Sequence, residues 1–392
     1  MANAIPAERK LGLAYVTLAL AVAPLVTNGL ARFAYALLLP AMRADLGWSY
    51  GAAGAINAAN AAGYLAGAIV AAWVAARVGA RRAFVWGLLL TALSLLGSGA
   101  ASSLLWQVMW RGLAGVTGAV AFVVGAALAG AAASRAPRAR QGLVIATYFG
   151  GAGVGVLVSA AVVPPLLAVG AGGWRLGWIA LAAASLAALA GALPTVPDDA
   201  ARPVAAAVPE VRPRRPSLAP ATTAYFLFGA GYIGYMTFII ALLRAAAVPG
   251  AMITAFWIVL GLALVASCYG WGALFARFAA GSAMAVSLLI DAAGALLPIV
   301  SSAAWAIFGS AVLFGAAVMA APGAATEVVR RALPASDWTA ALGRITVVFG
   351  IGQCLGPIAA GALADSAFGI ATGLALSAAL LVAGAAAAAF QR

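Results

Sequence analysis

The sequence has few charged residues and no histidine at all. Only 8% of its 392 residues are charged, 66% are hydrophobic, and the mean hydropathy is +1.08. A soluble domain carries about 25% charged residues, so the composition excludes an ordinary soluble protein and indicates an integral membrane protein. Without histidine the chain lacks the commonest metal ligand and the commonest general base. We therefore expect no metal site, no cofactor and no enzymatic activity.

Cysteines and nucleotide-binding motifs are equally scarce. The two cysteines, Cys268 and Cys354, each lie within an apolar run, which favours buried thiols over a disulfide. No Walker A pattern occurs, so an ATP-driven pump is excluded. Strand-type alternation is missing as well, which argues against a β-barrel and leaves helices to cross the membrane.

Long apolar runs are what the sequence does have. A helix of about 20 apolar residues crosses a bilayer, and twelve such runs occur. We therefore predict an all-α integral membrane protein with twelve transmembrane helices, the first of which is retained rather than cleaved as a signal peptide. The runs of the first half lie near residues 11–39, 50–76, 83–101, 104–133, 142–169 and 176–194. Those of the second half lie near residues 221–243, 252–276, 280–300, 303–325, 339–363 and 367–390.

One long polar stretch, TVPDDAARPVAAAVPEVRPRRPSLAP, divides these runs into two sets of six. Its prolines and mixed charges suit an extended linker rather than a packed helix. We predict an N-terminal six-helix bundle over residues 1–194, a Pro-rich linker over 195–220 and a C-terminal six-helix bundle over 221–392. The two bundles are weakly similar in sequence, since GGAGVG in the fifth run corresponds to GIGQCLGP in the eleventh.

The basic residues orient the chain in the membrane. The net charge is +13, and most basic residues fall in segments that share a side with both termini, whereas Arg43, Arg175 and Arg244 fall on the other side. Basic loops stay in the cytoplasm, so we expect a bacterial-type inner membrane protein whose termini and linker are cytoplasmic. This bias accounts for the positive charge without nucleic acid as a partner, and the lipid bilayer is the partner that the composition demands.

Two short motifs resemble those of the major facilitator superfamily. In that family the loop between the second and third helices carries a pattern like G-x-L-A-D-R-x-G-R-R. Here AWVAARVGARR keeps the basic residues and one glycine, with Ala76 at the acidic position, and GALFARF after the eighth run has Ala276 there. The resemblance implies a cytoplasmic gate that contains Arg77, Gly79, Arg81, Arg82, Gly272 and Arg277.

The fifth helix of that family often carries G-x-x-x-G-P, a pattern associated with antiporters. Here Gly151 and Gly155 keep the glycine spacing without the proline, and the eleventh run has Gly352, Gly356 and Pro357. Small residues let helices approach closely in lipid, so we assign these positions to helix packing.

Longer stretches are similar to the YbfB/YjiJ-type branch of the superfamily, among them ARFAYALLLPAMRADLGWSYGAAGAINAANAAGYLAGA and FGIGQCLGPIAAGALAD. The resemblance covers nearly the whole chain. It implies the major facilitator fold and a monomeric secondary transporter that works by alternating access. It also implies a substrate cavity lined by the first, fourth, seventh and tenth helices, but no particular substrate.

Arg32 and Arg111 are charged residues inside apolar runs. A lone arginine at the membrane centre costs on the order of 3 kcal/mol or more, so Arg32 either faces a cavity or partner, or snorkels to the outer surface. Arg111 lies at a similar depth in the fourth run, with Gln107 one turn earlier. The two guanidinium groups repel each other unless an anion joins them, and a planar carboxylate fits that role. Pairing of each arginine with backbone carbonyls or tyrosines is the alternative.

Other polar residues in these runs are candidates for substrate binding. Asn28 lies one helical turn before Arg32. Asn57 and Asn60 share one face of the second run, where asparagine can equally join two helices. The remaining candidates are aromatic or amide side chains: Tyr35, Tyr64, Tyr232, Tyr235 and Gln353.

Asp291, in the ninth run, is the acidic residue that lies deep inside an apolar segment. It is a candidate proton carrier, and pairing with a neighbouring helix is the alternative. Glu327, Asp337 and Asp365 lie near the ends of runs and suit gate or surface positions. The sequence thus indicates a secondary transporter of a small organic solute, anionic or zwitterionic. The alternative is a proton-coupled exporter of amphipathic or drug-like compounds, with aromatic residues binding the substrate.

Overall fold

The computed structural model describes residues 7–100, 102–198, 217–275, 278 and 280–391. Within these ranges the chain is helical without strands, and twelve helices are long and apolar enough to cross a membrane. The predicted fold class and number of spans are therefore confirmed. The centre of the predicted linker, residues 199–216, and the predicted gating residue Arg277 lie outside the described residues.

The first six spans consist of seven α-helices and one π-helical segment, and the first span combines α1, the π segment and α2. The elements are α1 (Ala7–Pro24), the π segment (Leu25–Phe33), α2 (Tyr35–Leu46), α3 (Tyr50–Val78), α4 (Ala80–Ala100), α5 (Leu104–Ser134), α6 (Arg138–Leu167) and α7 (Gly173–Ala192). We call this part of the chain the first half.

The last six spans also consist of seven α-helices, because the tenth span is interrupted after Ala317. The elements are α8 (Ala219–Ala245), α9 (Gly250–Phe275), α10 (Ala280–Val300), α11 (Ala304–Ala317), α12 (Ala320–Ala332), α13 (Trp338–Ala364) and α14 (Ile370–Ala389). This part is the second half. Almost all of α8 is buried, so its side chains face other helices rather than lipid.

The first span differs from the uninterrupted α-helix that the sequence suggests. Pro24 ends α1, and as proline it has no N–H to donate to the preceding turn. The π segment follows directly, and at its end the N–H of Ala34 bonds to the carbonyl of Gly29, five residues back, at 3.1 Å. A π-helix has more residues per turn than an α-helix, so the expectation that Asn28 and Arg32 share one face does not carry over to this segment. The span also ends later than predicted, at Leu46.

The predicted packing glycines lie at equivalent places in the two halves. A side chain at Gly155 of α6 would collide with the backbone of Leu25 and Gly29 in the π segment. A side chain at Gly356 of α13 would collide in the same way with the backbone of Ala230 in α8. The fifth span thus packs closely on the first, and the eleventh packs closely on the seventh, as expected for structurally related halves.

Successive spans alternate in direction, so the loops lie at two ends of the molecule. We call the end at which α3 meets α4 and α8 begins the linker face, and the opposite end the distal face. At the distal face the carboxylate of Asp365 accepts hydrogen bonds from the N–H groups of Tyr50 and Gly51, both at 2.7 Å. Further inside, Gly54 of α3 lies against the backbone of Pro357 in α13. These contacts join the two halves and close the distal end of the interface between them.

Candidate functional site

Arg32 lies on the π segment at the interface between the halves, where its side chain is only 4% exposed. Its Nη2 donates a hydrogen bond to Oε1 of Gln353 on α13, at 2.8 Å. The guanidinium group therefore points toward the second half of the chain. This position agrees with an orientation toward a partner or cavity, rather than with snorkelling to the surface.

Gln353 extends this contact into a chain of three side chains. Its Nε2 donates to the hydroxyl of Tyr232 on α8, at 2.6 Å. The amide of Gln353 thus has its oxygen on the arginine and its nitrogen on the tyrosine. We call Arg32, Gln353 and Tyr232 the central chain. All three side chains are buried, so these hydrogen bonds act in a low-dielectric environment.

The guanidinium group of Arg32 has donor capacity to spare. Its Nε is buried and has no hydrogen-bond partner among the described residues. Its Cζ lies 5.4 Å from the centre of the Tyr64 ring on α3, within cation–π distance. A buried donor without a partner costs free energy, so a ligand that supplies an acceptor here would be stabilised.

Arg111 has a different environment from Arg32, although both are buried. Its Nη1 donates to the carbonyl of Ala31, and its Cζ lies 5.3 Å from the Tyr35 ring and 5.0 Å from the Trp178 ring. All these partners belong to the first half. A carbonyl and two aromatic faces are the kind of partners that the alternative interpretation of Arg111 named. Its Nε and Nη2 have no partner among the described residues.

Several other predicted site residues hold helices of the first half together. Gln107 donates to the carbonyl of Ser98 at 2.6 Å. Asn60 donates to the carbonyl of Arg111 at 3.0 Å, which ties α3 to α5. The hydroxyl of Tyr35 donates to the carbonyl of Ala53 at 3.0 Å. These contacts leave the three side chains apart from the central chain, and Asn28 is half-buried on the π segment.

Asn57 also links the two halves, independently of the central chain. Its Nδ2 donates to the hydroxyl of Thr237 on α8 at 2.5 Å. Its Oδ1 is buried without a partner among the described residues. The interface therefore holds two buried polar atoms without partners among the described residues, a donor on Arg32 and an acceptor on Asn57.

Aromatic side chains surround the central chain on both sides. On α8 and α13 the rings of Tyr225, Tyr232 and Phe349 are nearly parallel, with the Tyr225 and Phe349 centroids 4.3 Å apart. In the first half, the ring centroid of Phe122 lies 5.9 Å from the ring centroids of Tyr64 and Phe149. Apart from Tyr64 and Tyr232, these residues were not predicted. For the residues on α8 a signal was available, because Tyr225, Phe228 and Tyr232 repeat at helical intervals in the sequence.

Asp291 lies on α10 and is fully buried. Neither of its carboxylate oxygens has a hydrogen-bond partner among the described residues. It is near enough to Tyr235 on α8 for the two groups to interact electrostatically, and the Tyr235 hydroxyl bonds to that of Ser310 on α11 at 2.5 Å. Tyr235 and Asp291 thus lie in the same part of the second half, and neither forms a hydrogen bond with the central chain among the described residues.

The predicted gate loop between α3 and α4 makes contacts within the first half. Gly79 ends α3 with a φ of +90°, a conformation that favours glycine. Arg81 donates to Asp198 at 3.1 Å and to the carbonyl of Leu193 at 3.0 Å, which ties this loop to the end of α7. Arg77 and Arg82 are exposed, and Gly272 lies in the last part of α9.

A cavity of about 870 Å³ opens at the linker face between α8, α12 and α13. Its lining includes Thr222, Arg344 and Val348. Tyr225 lies one turn beyond Thr222, and Phe349 follows Val348, so the cavity adjoins the aromatic stack along both helices. Across the described residues, no group of three or more His, Cys, Asp or Glu side chains could hold a metal ion.

Comparisons with known proteins agree with this architecture. Residues 24–389 match the family described as uncharacterised MFS-type transporter YbfB. No curated protein sequence matches the chain significantly. The fold is similar to that of the nucleoside transporter NupG, with a TM-score of 0.77, 12% identity, and coverage of 95% of this chain and 99% of the other. It is also similar to a bacterial homologue of the human lysosomal transporter Spinster in an inward-facing, unoccupied conformation, with a TM-score of 0.68, 15% identity, and coverage of 98% and 97%.

Proposed function

Because the chain belongs to the family of MFS-type transporters described under the name YbfB, we propose that it moves a small organic anion or zwitterion across the membrane by alternating access. The hydrogen bond from Arg32 to Gln353 is the observation that supports this proposal most directly. This bond places a buried cation between two halves that must separate and rejoin during transport.

Gln353 acts as an internal substitute for the substrate. Its amide oxygen occupies one donor of Arg32, whereas the Nε of Arg32 has no partner among the residues that the structure describes. A carboxylate presents two oxygens to a guanidinium group, and such charge-assisted bonds are stronger than a bond to a neutral amide. The substrate carboxylate therefore displaces the Gln353 oxygen from Arg32, and this loosens the link between the halves.

Arg111 has a positioning role in this proposal. It bonds to the carbonyl of Ala31, the residue directly before Arg32, and thereby fixes the π segment. The Tyr35 and Trp178 rings stabilise its charge. Loss of Arg111 would misplace Arg32 rather than remove a substrate ligand.

Asp291 is the proposed site of a coupling proton. It is an acid within a membrane span that has no hydrogen-bond partner in the described part of the chain, and such residues commonly serve in proton transfer. Tyr235 of α8 is close enough to interact with it electrostatically, and the Tyr235 hydroxyl is bonded to that of Ser310 on α11. Since α8 also carries Tyr232, a protonation change at Asp291 can reach the central chain through a single helix.

We expect the protein to act as a monomer in the inner membrane, with its termini and the linker in the cytoplasm. In the conformation described here the distal face is closed by Asp365, Tyr50 and Gly51. The cavity at the linker face would then be the side from which substrate enters or leaves.

A thermal-shift screen of the purified full-length protein tests the proposal. The probes are acetate, benzoate, succinate, glycine betaine, tetraethylammonium and uridine. A compound that binds the folded state raises the melting temperature, and saturation at 100 times Kd stabilises it by about 2.7 kcal/mol. We expect carboxylates or the zwitterion to raise it, and Arg32→Gln to abolish the shift.

Arg244→Gln is the matched control, because Arg244 is exposed at the distal end of α8. It should respond as the wild type does. If tetraethylammonium or uridine gives the larger shift, and Arg32→Gln responds like the wild type, the anion proposal is wrong. The aromatic surroundings of the central chain would then favour the second candidate function, export of amphipathic compounds.

A further inference from the structure

We propose that the transported anion has a flat aromatic body, so that the substrate class is aromatic carboxylates. This inference rests on the proposed function, because it assigns the substrate carboxylate to Arg32. What it adds is a binding surface for the rest of the substrate, formed by aromatic side chains from both halves.

The second half contributes a stack of rings beside the central chain. Phe349 is nearly parallel to Tyr225, with an interplanar angle of 11°, and to Tyr232, with an angle of 7°. Phe349 is half-buried, whereas the two tyrosines are buried. Phe349 is thus the partly exposed member of the stack, and we infer that a flat ring of the ligand packs against it.

The first half contributes Tyr64, Phe122 and Phe149, which are all half-buried. Tyr64 lies under Arg32, and its hydroxyl is near enough to those of Tyr232 and Tyr225 to interact with them electrostatically. Through Arg32 and Gln353, Tyr64 is linked to Tyr232 in the ring stack of the opposite half. At the same level Leu65 packs against Gly350, so α3 and α13 meet directly beside these two aromatic groups.

Arg32 lies over the Tyr64 ring and is linked through Gln353 to Tyr232, so a ligand held by Arg32 lies beside the aromatic side chains of both halves. A carboxylate on Arg32 directs the attached body toward Phe349 and Tyr64. Flat rings gain from stacking on aromatic side chains beyond the area that they bury, whereas a saturated ring of similar size does not. The geometry therefore favours an aromatic acid over its saturated counterpart.

Matched ligand pairs test this inference on the purified full-length protein. Benzoate, 2-naphthoate and indole-3-acetate are the aromatic acids, cyclohexanecarboxylate is the non-aromatic acid, and benzamide is the uncharged aromatic compound. We expect the aromatic acids to bind about 2- to 10-fold more tightly than cyclohexanecarboxylate in thermal-shift titrations. Benzamide should give no shift.

Two variants locate the surface. Phe349→Leu and Tyr64→Leu should each reduce the preference for benzoate over cyclohexanecarboxylate while both acids still bind. Phe368→Leu is the control, because Phe368 is 81% exposed near the distal face. It should keep the wild-type preference.

The outcomes separate this inference from the proposed function. If benzoate and cyclohexanecarboxylate bind equally and Arg32→Gln abolishes both, the anion site stands and the aromatic inference is wrong. If benzamide binds as well as benzoate, the anion proposal fails although the aromatic surface is real. If no acid of the set shifts the melting temperature, both are contradicted.

Discussion

Asp365, the residue directly after α13, caps the first turn of α3, with Oδ1 accepting from the N–H of Tyr50 and Oδ2 from that of Gly51. The first N–H groups of a helix have no partner within the helix, and its N-terminus carries partial positive charge. A carboxylate from the opposite half meets both needs. Tyr50 is held further by the Arg43 guanidinium, 3.6 Å from its ring, and by an edge contact with Phe238 of α8.

Asp365→Ala should open the distal face. Removing a capping side chain costs about 1 kcal/mol, which corresponds to a roughly 5-fold change in the ratio of closed to open states. Asp365→Asn should have a smaller effect, because asparagine still accepts a hydrogen bond at a helix N-terminus. Spin labels at Ala44 and Phe368, in a background without Cys268 and Cys354, measure this by pulsed electron paramagnetic resonance. The distance between the labels should be longer in Asp365→Ala than in the wild type.

Asp45→Ala is the control for this distal contact. Asp45 lies at the same face, but its carboxylate accepts from the Trp174 indole at 2.8 Å within the first half. The distance distribution should stay as in the wild type. An equal shift in the two alanine variants would mean that Asp365 is not a specific link between the halves.

Arg32→Gln should weaken binding of benzoate about 10- to 100-fold, since a hydrogen bond to a charged partner contributes about 1.5–3 kcal/mol. Arg32→Lys should restore only part of the affinity, because an ammonium group cannot offer the two parallel donors of a guanidinium group. Titration calorimetry measures both. Full affinity in the lysine variant would contradict a two-pronged contact.

Gln353→Glu should weaken anion binding more than Gln353→Ala does. The glutamate side chain places a carboxylate on Arg32 permanently, and this carboxylate competes with the substrate. Alanine instead removes the amide oxygen of Gln353 from Arg32, so nothing on residue 353 competes with the substrate. Benzoate titrations of both variants, compared with the wild type, measure the difference. If the alanine variant loses affinity as completely as the glutamate variant, Gln353 binds substrate instead of being displaced by it.

Gly155→Val and Gly356→Val should each lower the free energy of unfolding by about 1–3 kcal/mol, because a side chain would force two helix backbones apart. Gly130→Val is the control, since nothing lies within 4 Å of a Cβ built there. Unfolding titrations in sodium dodecyl sulfate compare the three. Equal stability of all three variants would contradict the close packing of the fifth span on the first and of the eleventh on the seventh.

Asp291→Asn should uncouple transport from protons while ligand binding is kept, because within the described ranges the Asp291 carboxylate forms no hydrogen bond with the central chain. Benzenesulfonate, the sulfonate counterpart of benzoate, is first tested for binding by thermal shift. In proteoliposomes that contain pyranine, its addition outside should then change the internal pH through the wild type and not through the variant. This strong acid does not cross the bilayer with a proton of its own accord. A pH change of equal size in the variant would show that Asp291 is not the coupling site.

The apolar runs alone were sufficient for the twelve spans, because a bilayer requires long uncharged helices whatever their neighbours are. The same cost of burying charge singled out Arg32, Arg111 and Asp291 as residues that need partners. The spacing of the glycines in the fifth and eleventh spans is likewise visible in the sequence, and these glycines lie at close helix contacts. These features depend on local composition, which a sequence displays directly.

Only the tertiary structure distinguished the two arginines. Arg32 bonds to Gln353, which is 321 positions away in the sequence. Arg111 contacts the carbonyl of Ala31 and two aromatic rings of its own half. The π segment, the aromatic surface and the Asp365 contact likewise depend on which helix faces lie together. Hydropathy is a property of one helix at a time, so it determines how many spans exist. The contacts between spans follow from packing across the whole chain, which no single run of residues contains.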